Sequence, residues 1–188
     1  MGQGEPLLNY DAVKDALITI LEHTEIGPRQ ITLSTVGVPS AMTRMLDDPD
    51  FPSVRFALSL HNAIEDDRKK LIPSHQPKFF EFLIDWAEKF HKKYPGRTHF
   101  IGLEYTVVKG ENDSEKHLKA LIKFASKLGK VRINLIPCNE AGKTTTTSEI
   151  EVIEAWQQRL MECGFTCTIR HSQGQDIAAA CGQLANKF

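Results

Sequence analysis

One cysteine near the end of the chain has surroundings that suggest chemistry. Cys181 lies in the stretch R-H-S-Q-G-Q-D-I-A-A-A-C-G-Q-L, residues 170–184. Residues 172–175 are typical of a loop, and Asp176 can cap a short helix over 177–184. A cysteine among alanines commonly packs as a small hydrophobic residue, whereas its thiolate would be a nucleophile. The residue types alone leave both interpretations open.

Strands and helices alternate along the chain that leads to this cysteine. Apolar spacing predicts helices over 10–23, 39–46, 65–71, 78–93, 114–128 and 148–163, the last capped by Ser148. Short apolar runs predict strands over 31–35, 54–60, 99–107, 131–136 and 165–169. This alternation predicts an α/β fold with parallel strands and outer helices, in one domain over 1–188. The aromatic stripe of the helix over 78–93 is interpreted as core.

Polar residues follow the predicted strands at the point where each ends. They are Ser34 in S-T-V-G, the triplet Ser59, Leu60 and His61, and Asn139 in P-C-N. Barrels place their sites at the carboxyl ends of parallel strands, and doubly wound sheets do so at a switch point. The placement favours a partial (β/α) barrel, and no G-x-G-x-x-G opens a helix to support a nucleotide-binding doubly wound sheet.

The first residues, M-G-Q-G-E-P-L-L-N, combine glycines with an acid. Glycine lets the backbone approach a ligand closely, and Glu5 could hold an ammonium group by a charge-assisted hydrogen bond. At a chain terminus such an acid is more often incidental. Taken alone, the position of this segment favours the incidental interpretation.

Taken together, these motifs resemble the RlmN/Cfr class of radical S-adenosylmethionine (SAM) RNA methyltransferases. The resemblance covers residues 2–184 and rests on G-x-G-E-P-L-x-N, the three strand-end motifs and R-x-x-x-G-x-D-I-x-A-A-C-G-Q-L, all in the family's order. It implies a radical SAM barrel over about 1–169 and a methyl-carrier loop and helix over 170–188. It also implies that SAM is bound by Gly4, Glu5, Ser34, Ser59, Leu60, His61 and Asn139.

The resemblance further implies a reaction. Cys181 would be methylated by SAM and would pass its carbon, by radical chemistry at a reduced [4Fe–4S] cluster, to an adenine. The implied substrate is 23S ribosomal RNA, with carbon 2 of the adenine favoured, and transfer RNA in the RlmN branch. A reducing electron donor is the other implied partner.

The cluster ligands that the family uses are missing from this sequence. Cys163 and Cys167 have the spacing C-x-x-x-C, but the third position of the C-x-x-x-C-x-x-C motif is Arg170, which cannot supply a thiolate. We therefore expect no metal ligands in this chain. The family's cluster motif precedes its G-x-G-E-P loop, so we expect the chain to be a C-terminal portion that is inactive by itself.

Composition leaves one alternative class open. The 188 residues carry a formal net charge of −1, four irregularly spaced cysteines and no membrane-length apolar run, which favours the cytoplasm and no membrane partner. A degenerate, non-catalytic SAM- or RNA-binding module is the alternative. Its basic cluster would be Lys69, Lys70, Lys78, Lys89, Lys92, Lys93 and Arg97, although interleaved acids make a solvated helix face the preferred interpretation. No local signature supports a cysteine hydrolase around Cys181.

Overall fold

Five parallel strands form one sheet in the part of the chain that the computed structural model describes, residues 4–138 and 147–170. They are β1 (Thr32–Thr35), β2 (Arg55–Ser59), β3 (Ile101–Val107), β4 (Val131–Pro137) and β5 (Thr166–Ile169). The strands lie side by side in chain order, from β1 to β5. A doubly wound sheet reverses its order at a switch point, whereas a (β/α) barrel does not. The observed order therefore confirms the predicted partial barrel.

The first helix precedes β1, and the others connect successive strands. The helices are α1 (Tyr10–His23), α2 (Pro39–Asp47), α3 (Glu65–Leu71), α4 (Phe79–Lys93), α5 (Glu115–Ala125) and α6 (Ile150–Glu162). Their predicted ends, and those of the strands, are displaced by no more than about three residues, as frayed ends allow. Two short 3₁₀ turns, Pro6–Asn9 and Pro28–Gln30, were not predicted. No helix among these described residues is long and apolar enough to cross a membrane.

The predicted cap of α6 is wrong. The residue at the cap position is Glu149, and the Ser148 hydroxyl instead donates a 2.8 Å hydrogen bond to a carboxylate oxygen of Asp113. A serine hydroxyl can donate as well as accept, and here the carboxylate in the loop before α5 accepts its hydrogen bond. Buried Ser148 therefore joins the loops that precede α5 and α6.

The helical side of the sheet holds the core. Alternate strand residues point to this side, where buried Leu58, Leu103 and Ile133 belong to one apolar cluster. Helix α4 contributes the predicted aromatic stripe, of which Phe79, Leu83, Trp86 and Phe90 are buried and Phe82 is half-buried. The indole nitrogen of Trp86 donates to the backbone oxygen of Met42 at 2.8 Å, which links α4 to α2.

The opposite side of the sheet is polar. In register across the strands, one row contains Ser34, Ala57, Gly102, Arg132 and Thr166, and the next contains Ser59, Glu104, Asn134 and Thr168. A fully buried parallel sheet would carry apolar residues on both sides. The polar rows therefore mark this face as the one available to a ligand.

Candidate functional site

The Gly4–Glu5 loop is docked on the end of β1. One carboxylate oxygen of Glu5 accepts from the Thr35 hydroxyl at 2.6 Å and from the Leu7 nitrogen at 3.0 Å, and the other accepts from the Val36 nitrogen at 2.8 Å. Gly4 has a φ of 102°, which suits glycine. A carboxylate offers about four acceptor positions. Three are occupied here, which leaves about one for an incoming N–H donor.

The Ser59–Leu60–His61 segment continues directly from β2 along the same edge. The Leu60 side chain is fully buried in the core. Its nitrogen donates to the backbone oxygen of Glu104 at 2.9 Å, and its own oxygen accepts from Nε of Arg68 at 3.1 Å. Leu60 therefore fixes the backbone between Ser59 and His61, the two residues whose side chains are polar.

His61 is held as a neutral hydrogen-bond donor. Its Nδ1 accepts from the Thr106 nitrogen at 3.1 Å, so the neutral ring carries its proton on Nε2. Burial, and then the charge of Arg68, lowers the pKa of His61 to about 4. The ring is consequently unprotonated on Nδ1 at neutral pH, and its free nitrogen donates rather than accepts. This geometry supports a ligand contact and disfavours a general base.

A buried arginine, Arg68, donates hydrogen bonds to the backbone directly after both β1 and β2. Arg68 is fully buried, and its Nη2 donates to the backbone oxygen of Val36 at 2.7 Å while its Nε reaches Leu60. Its Nη1 lies 2.8 Å from Nδ1 of His75. Desolvation lowers the pKa of Arg68 to about 10, so it stays charged at neutral pH. Sequence reasoning missed this residue, because E-D-D-R-K-K of α3 does not distinguish it from its exposed neighbours.

A cleft of about 600 Å³ lies on the polar face of the sheet. Sites for small ligands typically measure about 300–1,000 Å³. Ser34 is the predicted site residue that lines it. The other lining residues are Thr32, Arg55, Phe56, Ala57, Phe100, Gly102, Glu104, Arg132, Asn134, Thr166, Thr168 and Arg170. The cleft therefore adjoins the edge that carries the predicted SAM contacts.

Glu104 is the buried acid of this cleft. It is 4% exposed, and its Oε1 accepts from the side-chain nitrogen of Asn134 at 2.6 Å. Its Oε2 has no hydrogen-bond partner among the described residues and lies 3.8 Å from Nη1 of Arg170. The sequence carried a signal for this residue, since an acid inside the apolar run I-G-L-E-Y-T-V is unusual for a buried strand. The polar cleft and this orphaned oxygen fit a ligand as polar as SAM.

Comparison with known proteins gives relatives that match the whole chain. No protein-family model matches the chain. Probable dual-specificity RNA methyltransferases RlmN from Flavobacterium johnsoniae and Thermus thermophilus are 39% and 38% identical to it, over 100% of the chain. The chain is a homologue of RlmN. It spans 53% and 52% of the length of these two relatives.

The fold of this chain is similar to that of solved structures, which include a radical SAM methyltransferase. A radical SAM methyltransferase from Sphaerobacter thermophilus superposes with a TM-score of 0.87 at 31% identity, over 97% of this chain and 53% of that one. A domain of pyruvate-formate lyase-activating enzyme from Bacteroides vulgatus, 17% identical, superposes with a TM-score of 0.66 over 91% of this chain and 97% of that one. The latter likeness shows a shared fold only.

The described part of the RlmN homologue does not fit an iron–sulfur cluster. Residues 4–138 and 147–170 contain no group of three or more His, Cys, Asp or Glu side chains suited to a metal ion. Cys163 is exposed at the end of α6, whereas Cys167 is buried on β5, where desolvation raises its pKa to about 12. A cluster ligand must be a thiolate, so this pair does not fit that role.

Two other predicted site residues, Asn139 and Cys181, lie outside the described residues.

Proposed function

We propose that this chain is the C-terminal portion of a radical SAM RNA methyltransferase that acts in the cytoplasm. Its substrate would be an adenine of 23S ribosomal RNA, methylated on carbon 2, with transfer RNA as a second substrate. One observation carries the proposal. Three motifs that are far apart in sequence lie on two neighbouring parallel strands: Glu5 contacts the end of β1, Ser34 lies on β1 and lines the cleft, and Ser59–His61 continues from the end of β2.

The residues of this edge have distinct binding tasks in the proposal. Bound SAM would supply the methyl group. Glu5 would accept a hydrogen bond from the ammonium group at its remaining acceptor position, and His61 would donate from Nε2. Ser34 offers its hydroxyl to the cleft. These tasks need no proton transfer at the edge, which agrees with the lowered pKa of His61.

Cys181 is the proposed methyl carrier. It would need its thiolate to accept a methyl group, and Asn139 would complete the SAM contacts. The sequence contains no C-x-x-x-C-x-x-C motif. The proposal therefore leaves cluster binding, and the docking of the electron donor, to protein outside this sequence, and the isolated chain would be inactive by itself.

The test is deletion of the gene in its native source, followed by nucleoside analysis of 23S ribosomal RNA and transfer RNA. The proposal predicts loss of adenine methylated on carbon 2, restored by the wild-type gene and not by Cys181→Ser. A Cys163→Ser gene is the matched control and should restore methylation. Unchanged methylation after deletion would overturn the proposal.

The alternative is a binding module without catalysis. Three of the seven residues of its basic cluster have partners within the described residues. Lys70 pairs with Asp67 at 2.8 Å and Lys92 with Glu88 at 2.7 Å. Lys93 donates to three backbone oxygens at the end of α2, those of Met45, Leu46 and Asp48. These contacts support the solvated-face interpretation over a phosphate-binding surface.

A further inference from the structure

We propose that Glu104 is a further ligand-binding residue, whose carboxylate accepts hydrogen bonds from an adenosine group in the cleft. The inference rests on the proposed function, because SAM and the target RNA both contain adenosine. Glu104 lies on β3, the middle strand of the sheet, and would add to the contacts that the motifs predict.

The carboxylate of Glu104 is buried but only half satisfied. Oε1 accepts from Asn134, whereas Oε2 is buried without a hydrogen-bond partner among the described residues. The 3.8 Å separation from Nη1 of Arg170 is too long for a direct hydrogen bond, and the Arg170 side chain is 50% exposed. A buried polar atom without a partner is costly. An incoming donor that reaches Oε2 would remove this cost.

The neighbours of Glu104 hold the carboxylate in place. The Thr168 hydroxyl donates to the side-chain oxygen of Asn134, which turns the Asn134 nitrogen toward Oε1 of Glu104. The backbone oxygen of Glu104 accepts from Leu60 and His61 at 2.9 and 3.2 Å. Ser59 is its register partner on β2. The acid is therefore anchored to the segment that carries the proposed SAM contacts, and a ligand there would lie beside it.

Glu104 and Arg170 both line the cleft, and their hydrogen-bonding chemistry indicates the class of ligand. An ionised carboxylate accepts hydrogen bonds and cannot donate them, whereas a guanidinium only donates. Adenosine matches both, because its ribose hydroxyls and exocyclic amine donate while its ring nitrogens accept. The cleft of about 600 Å³ has room for such a group. SAM or the RNA substrate could supply it.

The experiment is calorimetric titration of the 188-residue chain with adenosine, S-adenosylhomocysteine and an adenine-containing RNA hairpin. Glu104→Gln keeps one acceptor for Asn134 and replaces the other with a donor. We expect it to weaken adenosine binding about tenfold to a hundredfold, as loss of a hydrogen bond to a charged group does. A parallel loss with S-adenosylhomocysteine identifies SAM as the source, and a loss confined to the hairpin identifies RNA. Glu154→Gln, at an exposed position of α6, is the matched control.

Equal affinity of wild type and Glu104→Gln for all three probes would overturn this inference alone, since the site itself would still bind. Failure of the wild-type chain to bind any probe would overturn the inference together with the proposed SAM site. If Glu104→Gln does not fold, an NMR titration of the wild-type chain with the same probes tests the inference through the side-chain amide signals of Asn134. They should shift on titration because Asn134 donates to Glu104, and unmoved signals would overturn the inference.

Discussion

The backbone nitrogen of Thr106 donates a 3.1 Å hydrogen bond to Nδ1 of His61. This contact joins the segment after β2 to β3 and sets the tautomer of the ring. The backbone of His61 has a φ of 54°, a left-handed conformation that is uncommon outside glycine. Asn112 supports it by donating to the His61 oxygen at 2.6 Å. Thr106 therefore fixes the ring of His61 and Asn112 fixes its backbone.

His61 should make the stability of the fold depend on pH. Its pKa is about 4 in the fold against an ordinary 6.5. Because the folded pKa is the lower one, the unfolded state binds the proton first. The stabilisation is complete above the unfolded pKa and is lost as the pH falls from 6.5 toward 4. We expect a loss of up to about 2 kcal/mol between about pH 7 and pH 5, measured by urea unfolding.

His61→Asn should remove that part of the pH dependence, since asparagine tolerates the left-handed conformation and does not titrate. His23→Asn, at an exposed position in α1, is the control and should keep the wild-type dependence. Equal pH dependence in His61→Asn and wild type would show that the ring titrates normally.

Arg68 should be worth more to stability than any neighbouring cation. Arg68→Met leaves the backbone oxygen of Val36 without its donor, at about 1–3 kcal/mol for a buried group, whereas the backbone oxygen of Leu60 keeps the Asn62 nitrogen as a donor. We expect the free energy of unfolding to fall by about 1–3 kcal/mol in urea denaturation. Lys69→Met, at the next and exposed position, should change it by less than about 0.5 kcal/mol. Similar stabilities for the two variants would refute the bridging role.

Gly37 should be intolerant of a side chain for two separable reasons. Its φ is 97°, and an added Cβ would lie 2.3 Å from a ring carbon of Phe79 on α4. Gly37→Ala should therefore cost backbone strain of about 1–2 kcal/mol plus about 1–3 kcal/mol of overpacking. Gly110→Ala shares the positive φ, at 75°, and has open space around it. It should show the strain alone in thermal unfolding, and equal costs at both positions would argue against the contact with Phe79.

The sequence predicted correctly those elements in which apolar residues recur at regular spacing. The stripe of α4 predicted the core, because apolar residues at helical spacing lie on one face of a helix. The alternation of strands and helices predicted parallel strands with outer helices, and the polar residues at the strand ends then favoured the partial barrel. The cap of α6 failed because Ser148 found a tertiary partner in Asp113 that local sequence does not show. Tertiary contacts outweigh local capping preference in such cases.

The polar network behind the site was harder to predict. Motifs in the sequence predicted Glu5, Ser34 and His61 as contacts of a ligand. Arg68 looked like one more charge of a surface helix, and only the folded chain buries it beneath two strand ends. Glu104 did leave a trace, as an acid in an apolar strand, but its pairing with Asn134 depends on the register between β3 and β4. Register across parallel strands is a long-range property that spacing along the chain does not encode.

The isolated chain should not assemble an iron–sulfur cluster. Anaerobic reconstitution with iron and sulfide should leave no stoichiometric cluster absorbance, because the sequence has no third cysteine at the required spacing and Cys167 is buried with a raised pKa. Iron and sulfide analysis after desalting checks the spectrum. One cluster for each chain would contradict the expectation and require ligands that the family pattern does not use.

The measurement that tests the account most directly is a titration of the isotopically labelled chain with SAM, followed by backbone NMR. The account predicts saturable shifts at Gly4, Glu5, Ser34, Ser59 and His61. It predicts unchanged signals on the outer face of α5, for example at exposed Lys119. Shifts confined to the outer helices, or no saturable shift at all, would contradict the claim that the carboxyl edge of this sheet binds SAM.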